Sequence, residues 1–153
     1  MSVRIGAPRH GEAAEISALA LRSKAHWGYD EAFLEACRDE LTYTEDDCRS
    51  GDVIVARGDT ELIGFAVVRG LGQEGELSAL FVDPPRIGTG VGGALLMCAI
   101  ELARGRGMTR LVIDADPGAE PFYRHAGARR IGRVPSGSIP GRFLPQLELR
   151  LDS

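Results

Sequence analysis

Apolar residues recur with two different periods along the chain of 153 residues, and the change of period marks where predicted helices give way to predicted strands. In the first third the spacing is three or four residues, which is typical of amphipathic helices. Ile16 and Leu19 share one face of a first predicted helix, and Phe33 and Cys37 share one face of a second. The polar and aromatic segment SKAHWGYD (23–30) interrupts the two.

From residue 53 onward, short apolar runs bounded by turn residues predict strands. Strands are predicted at 3–5, 53–57, 62–68, 76–82, 111–115, 128–134 and 147–151. An apolar helix is predicted over 93–107 and a short helix over 118–127. Because antiparallel hairpins precede a single strand–helix–strand crossover, the order predicts an α/β fold with one mixed sheet. The length fits a single domain over residues 1–153.

Composition and charge disfavour several classes of protein. The net charge is −4 and the pI is about 5.4, whereas proteins held to nucleic acid by charge are normally basic. The longest uncharged apolar run, 90–100, is too short to span a bilayer, and the first residues lack the apolar stretch of a signal peptide. Three cysteines without a CxxC motif favour a reducing compartment, and the three histidines lack metal-ligand spacing. We therefore expect a cytoplasmic protein that binds no metal, nucleic acid or membrane.

The most informative segment is GTGVGG (88–93), which joins a predicted strand to the start of an apolar helix. Glycine leaves backbone N–H groups unobstructed, and a helix N-terminus carries about half a positive charge, so the segment can hold a diphosphate. The segment also matches the G-x-G-x-x-G dinucleotide fingerprint, but residues 83–87 separate it from the strand that should lead directly into that motif. A third interpretation is a glycine turn that only packs the helix on the sheet.

Two motifs at a matching separation resemble those of the GCN5-related N-acetyltransferases. E-L-x-x-L-F-V-x-P (76–84), followed by G-x-G-x-G (88–92), is similar to that family's acetyl-CoA segment. A-E-P-F-Y-R-H-A-G-A (119–128) is similar to its short helix with an aromatic pair. Ile87 departs from the Gln or Arg that usually opens the family's loop, and Gly118 stands near the place of a frequent Asn. The order of elements along the whole chain matches as well.

The resemblance implies a single domain with a strongly bent mixed sheet and helices on both faces. The strands at 76–82 and 111–115 would run parallel and splay apart, and acetyl-CoA, the implied cosubstrate, would enter the gap. Its pantetheine arm would bond along the first strand, and its diphosphate would lie on the glycine loop. The residues implied to bind the cofactor are Phe81, Val82, Ile87, Gly88, Thr89, Gly90, Val91, Gly92 and Gly93.

The resemblance also implies roles in acetyl transfer for two side chains. Glu76 matches the glutamate that removes a proton from the amine, often through water. Tyr123 matches the tyrosine near the sulfur, where a protonated phenol can donate to the departing thiolate. The backbone N–H of Phe81 or Val82 would polarise the thioester carbonyl. Phe122 is expected to be the core member of the aromatic pair.

A route through an acetylated cysteine is the rival mechanism. Cys37 and Cys98 fall on apolar helix faces, which favours inert core positions, and Cys48 lies in a polar connector with no histidine beside it in the sequence. A second class of function also stays open, because a non-catalytic acyl-CoA sensor could use the same pocket to report CoA status. The presence of both Glu76 and Tyr123 favours the enzyme.

The acceptor is expected to be an amine of a small molecule or a peptide, bounded by the first two helices and the late loop 135–146. His26, Trp27 and Tyr29 offer aromatic walls and hydrogen bonds, and Arg142 in the late loop can read a polar group. The second helix and the connector after it are rich in carboxylates, which would attract a polyamine or a basic peptide, or simply form a solvated face. A homodimer is compatible with the family.

Overall fold

The computed structural model describes residues 3–151, and the strands of this part of the chain form one mixed sheet. The strands are β1 (Arg4–Gly6), β2 (Val53–Arg57), β3 (Leu62–Leu71), β4 (Glu74–Val82), β5 (Arg110–Asp114), β6 (Arg129–Pro135) and β7 (Phe143–Arg150). The helices are α1 (Ala13–Ala25), α2 (Glu31–Cys37), α3 (Glu45–Arg49), α4 (Val91–Gly105) and α5 (Glu120–His125). The strand order is β1-β2-β3-β4-β5-β7-β6.

The helices lie on both faces of the sheet, as predicted. Val67 and Val68 are neighbours in β3, and successive side chains of a strand point to opposite faces. Val67 packs in a buried cluster with Ile16 and Leu19 of α1. Val68 packs in a second buried cluster with Ala99 of α4, and this cluster also contains residues of β5, α5 and β7. The core therefore has two layers, with α1 on one side of the sheet and α4 and α5 on the other.

The sheet opens between its two central strands. β4 and β5 are its parallel pair, and they are paired only where Glu74, Gly75 and Glu76 meet Arg110–Val112. Beyond Glu76, β4 remains paired with β3, but its edge towards β5 has no strand against it. The predicted splay of these strands is confirmed, and it leaves a row of backbone N–H and C=O groups facing the gap.

A bulge in β4 lies at the start of this open edge. Pairing with β3 passes from Val67–Ala79 to Val68–Leu77, so Ser78 has no partner on β3. In a regular strand, side chains two residues apart point to the same face of the sheet. An inserted residue shifts this alternation, so the side chains directly before and after it point to opposite faces. Leu77 accordingly packs in the α4 cluster, whereas Ala79 packs in the α1 cluster. The bulge thus turns the strand at the point where it leaves β5.

Several predicted boundaries differ from the observed ones. The last strand begins at Phe143, not at 147, because Leu144 and Pro145 continue the pairing with β6. The late loop is therefore limited to residues 136–142. α1 runs to Ala25, so the segment 23–30 interrupts the helices only in its second half.

Candidate functional site

A cavity of about 1040 Å³ occupies the gap between β4 and β5. Its walls are the open half of β4, the end of β5, the glycine loop before α4, and the turn after α1. Seven of the nine residues predicted to bind the cofactor lie in its wall: Phe81, Val82, Ile87, Gly88, Gly90, Gly92 and Gly93. The splay, the glycine loop and the two motifs therefore meet in one cavity.

The glycine loop presents backbone amides to the cavity. Gly88 and Gly90 have φ angles of 83° and 95°, in the left-handed region that glycine alone adopts readily. The first hydrogen bond of α4 runs from the N–H of Ala94 to the carbonyl of Gly90, at 3.1 Å. The backbone N–H groups of residues 91–93 come before this first bond. No carbonyl of the helix accepts them, so they need acceptors from outside the helix. This end of the cavity therefore favours an anion through its backbone groups.

Thr89 and Val91, which were also predicted to bind the cofactor, have side chains that do not line the cavity. The Thr89 hydroxyl donates to the carbonyl of Arg86 and closes the turn before α4. The Val91 side chain is buried against Leu95. Only the backbone of these two residues can take part in the anion site, because their side chains serve the loop and the core.

Glu76 lies at the last paired position of β4 and lines the opposite part of the cavity. Since Leu77 faces the α4 layer, the alternation of the strand directs the Glu76 side chain towards the layer of α1. Its carboxylate is exposed, and within residues 3–151 it forms no ion pair. Its cross-strand neighbour Arg69 is instead paired with Asp47, at 3.1 Å. A base at this position is open to an incoming group from the cavity.

The aromatic pair of α5 has the opposite arrangement from the one predicted. Tyr123 is the buried member and belongs to the core cluster, whereas Phe122 is 37% exposed and contacts the side of Gly92. Both rings line the cavity. The prediction of Phe122 as the core member was wrong, because a helix of six residues is too short for its apolar period to identify the buried side.

The Tyr123 phenol is held in its protonated form. Burial raises its pKa above the ordinary value of 10, and the negative charge of Asp116 raises it further. Among the described residues, no side chain or backbone group hydrogen-bonds its hydroxyl. A buried phenol of this kind has a donor to offer to a group that enters the cavity.

The four residues predicted to bind the acceptor do not form one wall. Trp27 lines the cavity, and its ring packs over Gly118, where a Cβ atom would come within 2.9 Å of the indole. His26 is exposed, lies edge-on to Trp27 and is not part of the wall. The Arg142 guanidinium donates a hydrogen bond of 2.6 Å to the Tyr29 phenol oxygen, but neither residue lines the cavity.

Tyr29 and Arg142 meet on Asp116, a residue that the sequence reasoning missed. Its Oδ2 accepts hydrogen bonds from Lys24 Nζ and from the Tyr29 hydroxyl, each at 2.8 Å, and lies 3.5 Å from Arg142. Its Oδ1 accepts a bond of 2.9 Å from the backbone N–H of Gly118. Asp116 follows the end of β5 and precedes a proline, which is the only local signal that could have drawn attention to it. We call these four side chains (Lys24, Tyr29, Asp116, Arg142) the Asp116 cluster.

The charged and polar groups of the Asp116 cluster determine each other's protonation states. Burial would raise the pKa of Asp116, but Lys24, the Gly118 amide and the Tyr29 hydroxyl outweigh it and hold that pKa below its ordinary value. Burial and the Asp116 carboxylate raise the pKa of Tyr29 to about 12. At neutral pH the cluster therefore contains one anion, two cations and a neutral phenol. Lys24 and Asp116 also line the cavity.

The end of the cavity away from the glycine loop is rich in carboxylates. Asp39, Glu40, Asp47 and Glu76 lie in its wall, with Arg69 as the cation between them. Glu40 reaches Gly137 of the late loop, where a Cβ atom would come within 2.4 Å of the Glu40 carboxylate. Since Arg69 balances only Asp47, this end of the cavity carries a net negative charge.

The described part of the chain shows neither a membrane-spanning helix nor a metal centre. No helix within residues 3–151 is long and apolar enough to cross a bilayer. No group of three or more His, Cys, Asp or Glu side chains in the same range could hold a metal ion.

A family model of the acetyltransferase (GNAT) family matches residues 18–128, which is more than half of the chain. The chain therefore belongs to the acetyltransferase (GNAT) family, and the family resemblance of its motifs is confirmed. Glucosamine 6-phosphate N-acetyltransferase of Trypanosoma brucei brucei is 34% identical over 61 residues, which are 40% of this chain and 42% of that protein. The match thus spans less than half the length of that curated relative.

Solved structures share the fold over nearly the whole chain. PaiA N-acetyltransferase from Thermoplasma acidophilum, in complex with coenzyme A, has a TM-score of 0.80 at 20% identity and covers 98% of this chain and 99% of its own. A GCN5-related N-acetyltransferase from Rhodopseudomonas palustris has a TM-score of 0.75 at 25% identity, over 97% and 94% of the two chains. The protein yncA from Salmonella typhimurium, with its cofactor acetyl-CoA, has a TM-score of 0.71 at 19% identity, over 100% and 96%.

Proposed function

We propose that this protein is an acetyl-CoA-dependent N-acetyltransferase that moves an acetyl group directly to a primary amine in a ternary complex. One observation carries the proposal: a single cavity joins the free amides of the glycine loop to Glu76 and Tyr123. Membership of the acetyltransferase family supports it. So do the relatives of the same fold that hold coenzyme A or acetyl-CoA.

The cavity has the features that acetyl-CoA requires. The diphosphate would lie on the amides before α4, where the helix dipole favours negative charge. The pantetheine amides would pair with the open edge of β4, as an additional strand would. The thioester would then lie between the backbone N–H of Phe81 or Val82 on one side and Tyr123 on the other. This arrangement uses both motifs and the splay between the strands.

Acetyl transfer removes two protons from the acceptor nitrogen and returns one to the sulfur. The ammonium of the acceptor would lose its first proton to Glu76, directly or through water, and the nitrogen lone pair would form the C–N bond with the thioester carbon. The nitrogen then gives up its second proton to water as the C–S bond breaks, and the sulfur leaves with the electron pair. Tyr123 can donate a hydrogen bond to that thiolate, because its pKa is raised above the ordinary 10 and the phenol stays protonated. A thiol has a pKa of about 8.5, so the phenol keeps its own proton and the sulfur takes one up from water.

The negative end of the cavity supports an acceptor that carries a positive charge besides the reacting amine. Asp39 and Glu40 line the same cavity as Glu76, and among the described residues neither has an ion pair. An unpaired carboxylate favours a cation that enters the cavity. A polyamine or a lysine-rich peptide fits this description better than a phosphorylated sugar, which would be repelled.

Direct transfer is favoured over a cysteine intermediate. Cys37 reaches the cavity wall but is only 3% exposed, and no histidine lies in that wall to activate it. Burial raises the pKa of the Cys48 thiol, and the carboxylates around it raise that pKa further, which disfavours the thiolate. Intact mass measured after incubation with acetyl-CoA alone should show unmodified protein. Acetylation of Cys37 under these conditions would contradict direct transfer.

The proposal is tested by measuring CoA release with a panel of amines of different charge. Spermidine, a lysine-rich peptide, an uncharged alkylamine and glucosamine 6-phosphate form the panel, and mass spectrometry identifies the acetylated product. We expect CoA release and an acetylated product with the polycations. Stabilisation by CoA without turnover on any amine would instead indicate the acyl-CoA sensor. Turnover of the phosphorylated sugar alone would overturn the proposed acceptor class.

A further inference from the structure

The Asp116 carboxylate joins two parts of the chain that lie far from it in the sequence, residues 24–29 and the late loop. Lys24 is 92 residues away, Tyr29 is 87 residues away, and Arg142 is 113 residues from the Tyr29 hydroxyl that it contacts. The partners come from the end of α1, the turn after it and the late loop. One buried anion thus joins the turn that carries Trp27 to the loop on the other side of the cavity.

The same carboxylate also holds the chain that leads into α5. Its second oxygen accepts the backbone N–H of Gly118 and so caps the single 3-10 turn Pro117–Ala119. α5 begins at the next residue, and Tyr123 is in its first turn. Trp27 packs directly on Gly118. The position of Tyr123 relative to the Trp27 wall is therefore set through Asp116.

The charges in this cluster make Asp116 hard to replace. Lys24 and Arg142 have side chains that are 14% and 19% exposed, and Asp116, at 11%, is the anion that both contact. Without that charge, two largely buried cations would be left without their anion, and a buried cation without a partner is strongly destabilising. Lys24 and Arg142 would then move towards water, and the turn and the late loop would move with them.

We propose that Asp116 is a positioning residue for acetyl transfer, which fixes the acceptor wall of Trp27 and the late loop against the turn that carries Tyr123. The inference rests on the proposed function and deepens it. Asp116 needs no contact with the reacting atoms for this role. Its effect reaches the reaction through Lys24, Tyr29 and Arg142 on one oxygen and through the Gly118 turn on the other.

The test compares Asp116→Asn with Glu12→Gln. Asparagine keeps the size and an acceptor for Gly118 but removes the charge. Glu12 forms a similarly buried ion pair with Arg57, with side chains 14% and 10% exposed, and it does not line the cavity. The Arg57 hydrogen bonds lower the pKa of Glu12, so the carboxylate is charged at the assay pH of 7 to 8. Both variants should lower the melting temperature, which makes Glu12→Gln the control for lost stability.

For Asp116→Asn we expect kcat/KM for the acceptor to fall by about 10²-fold, the loss caused by a misplaced reactant. The KM for acetyl-CoA should stay within about twofold, because the glycine loop has no contact with the cluster. Tyr29→Phe keeps the stacking on Phe33 but removes the hydroxyl that joins Arg142 to Asp116, and should give a smaller loss of the same kind. Equal effects of Asp116→Asn and Glu12→Gln on both KM values would overturn the proposal.

Hydrogen exchange provides a readout that does not depend on turnover. In Asp116→Asn, the amides of residues 26–30 and 136–142 should exchange faster relative to the rest of the chain, whereas Glu12→Gln should leave these segments unchanged. If the wild-type protein turns over no amine, the proposed function fails, and the exchange comparison still decides whether Asp116 holds the two segments. Unchanged exchange in both segments would overturn the positioning role even in an active enzyme.

Discussion

The two ends of the cavity are built in different ways. The end proposed for the cofactor consists of backbone: glycines at left-handed φ angles, the first amides of α4 and the open edge of β4. The end proposed for the acceptor consists of side chains, with carboxylates from the α2–α3 region and β4, and with the Asp116 cluster behind Trp27.

This difference separates binding of a common cosubstrate from selection of a particular acceptor. Backbone groups bind any diphosphate or pantetheine arm in the same way, so this end can serve a whole family with one cosubstrate. Side chains distinguish one amine from another by charge and shape. Substitutions at the first end should therefore remove cofactor binding, and substitutions at the second should change the acceptor while leaving the cofactor in place.

The largest effect is expected from Gly90→Glu, which places a charged side chain at a φ of 95° beside the proposed diphosphate. In the wild type, CoA at 100 times its Kd should add about 2.7 kcal/mol of stability, or about 5–10 °C in Tm. Differential scanning fluorimetry should show no such shift for the variant. Gly105→Glu adds the same charge at the far end of α4 and should keep the shift. A normal shift with Gly90→Glu would refute the backbone site.

Glu76→Gln should lower kcat at pH 7 by about 10²-fold, since it removes the proposed base. The loss should become smaller at high pH, where more of the amine is already deprotonated. A pH–rate profile with the preferred amine measures both effects. Glu74→Gln is the matched control, because Glu74 lies on the same strand, pairs with Arg110 and does not line the cavity. Identical profiles for Glu76→Gln and wild type would place the base elsewhere.

Tyr123→Phe should lower kcat by about 10–10²-fold, the size expected for loss of one hydrogen bond to the charged leaving thiolate. Folding should hardly change, because the hydroxyl has no partner among the described residues. The raised pKa keeps the wild-type phenol protonated as the pH rises past 10, so Tyr123 should produce no alkaline decline below that pH. Single-turnover kinetics isolate the chemical step. A wild-type rate in the variant would remove Tyr123 from the mechanism.

The smallest effect is expected from Trp27→Ala, which should raise the acceptor KM roughly threefold to tenfold, as expected for loss of one aromatic contact. The KM for acetyl-CoA should not change if the two ends of the cavity act independently. His26→Ala serves as the control, because the His26 ring lies next to Trp27 but does not line the cavity. A parallel rise in both KM values for Trp27→Ala would show that the ends are coupled.

The parts of the molecule that could be predicted from the sequence depend on short-range pattern. The order of elements and the glycine loop lie within continuous stretches, where apolar period and glycine spacing carry the information. The splay between β4 and β5 was expected only because the two motifs resemble those of a known family. The Asp116 cluster could not be predicted, because its bonds join residues 87–113 positions apart and each partner resembles an ordinary surface residue. Tyr29 and Arg142 were selected for the right region, but only the folded chain shows that they contact each other and not the cavity.

Trp27 also gives the protein an optical signal of its own. It is the chain's one tryptophan, the residue is 43% exposed, and it lies on the cavity wall. Indole emission shifts to the blue and changes in intensity when water is displaced from the ring. An amine that fills the acceptor end will therefore report its own binding through intrinsic fluorescence, with no label attached. The same measurement with CoA alone shows whether the glycine end influences this wall.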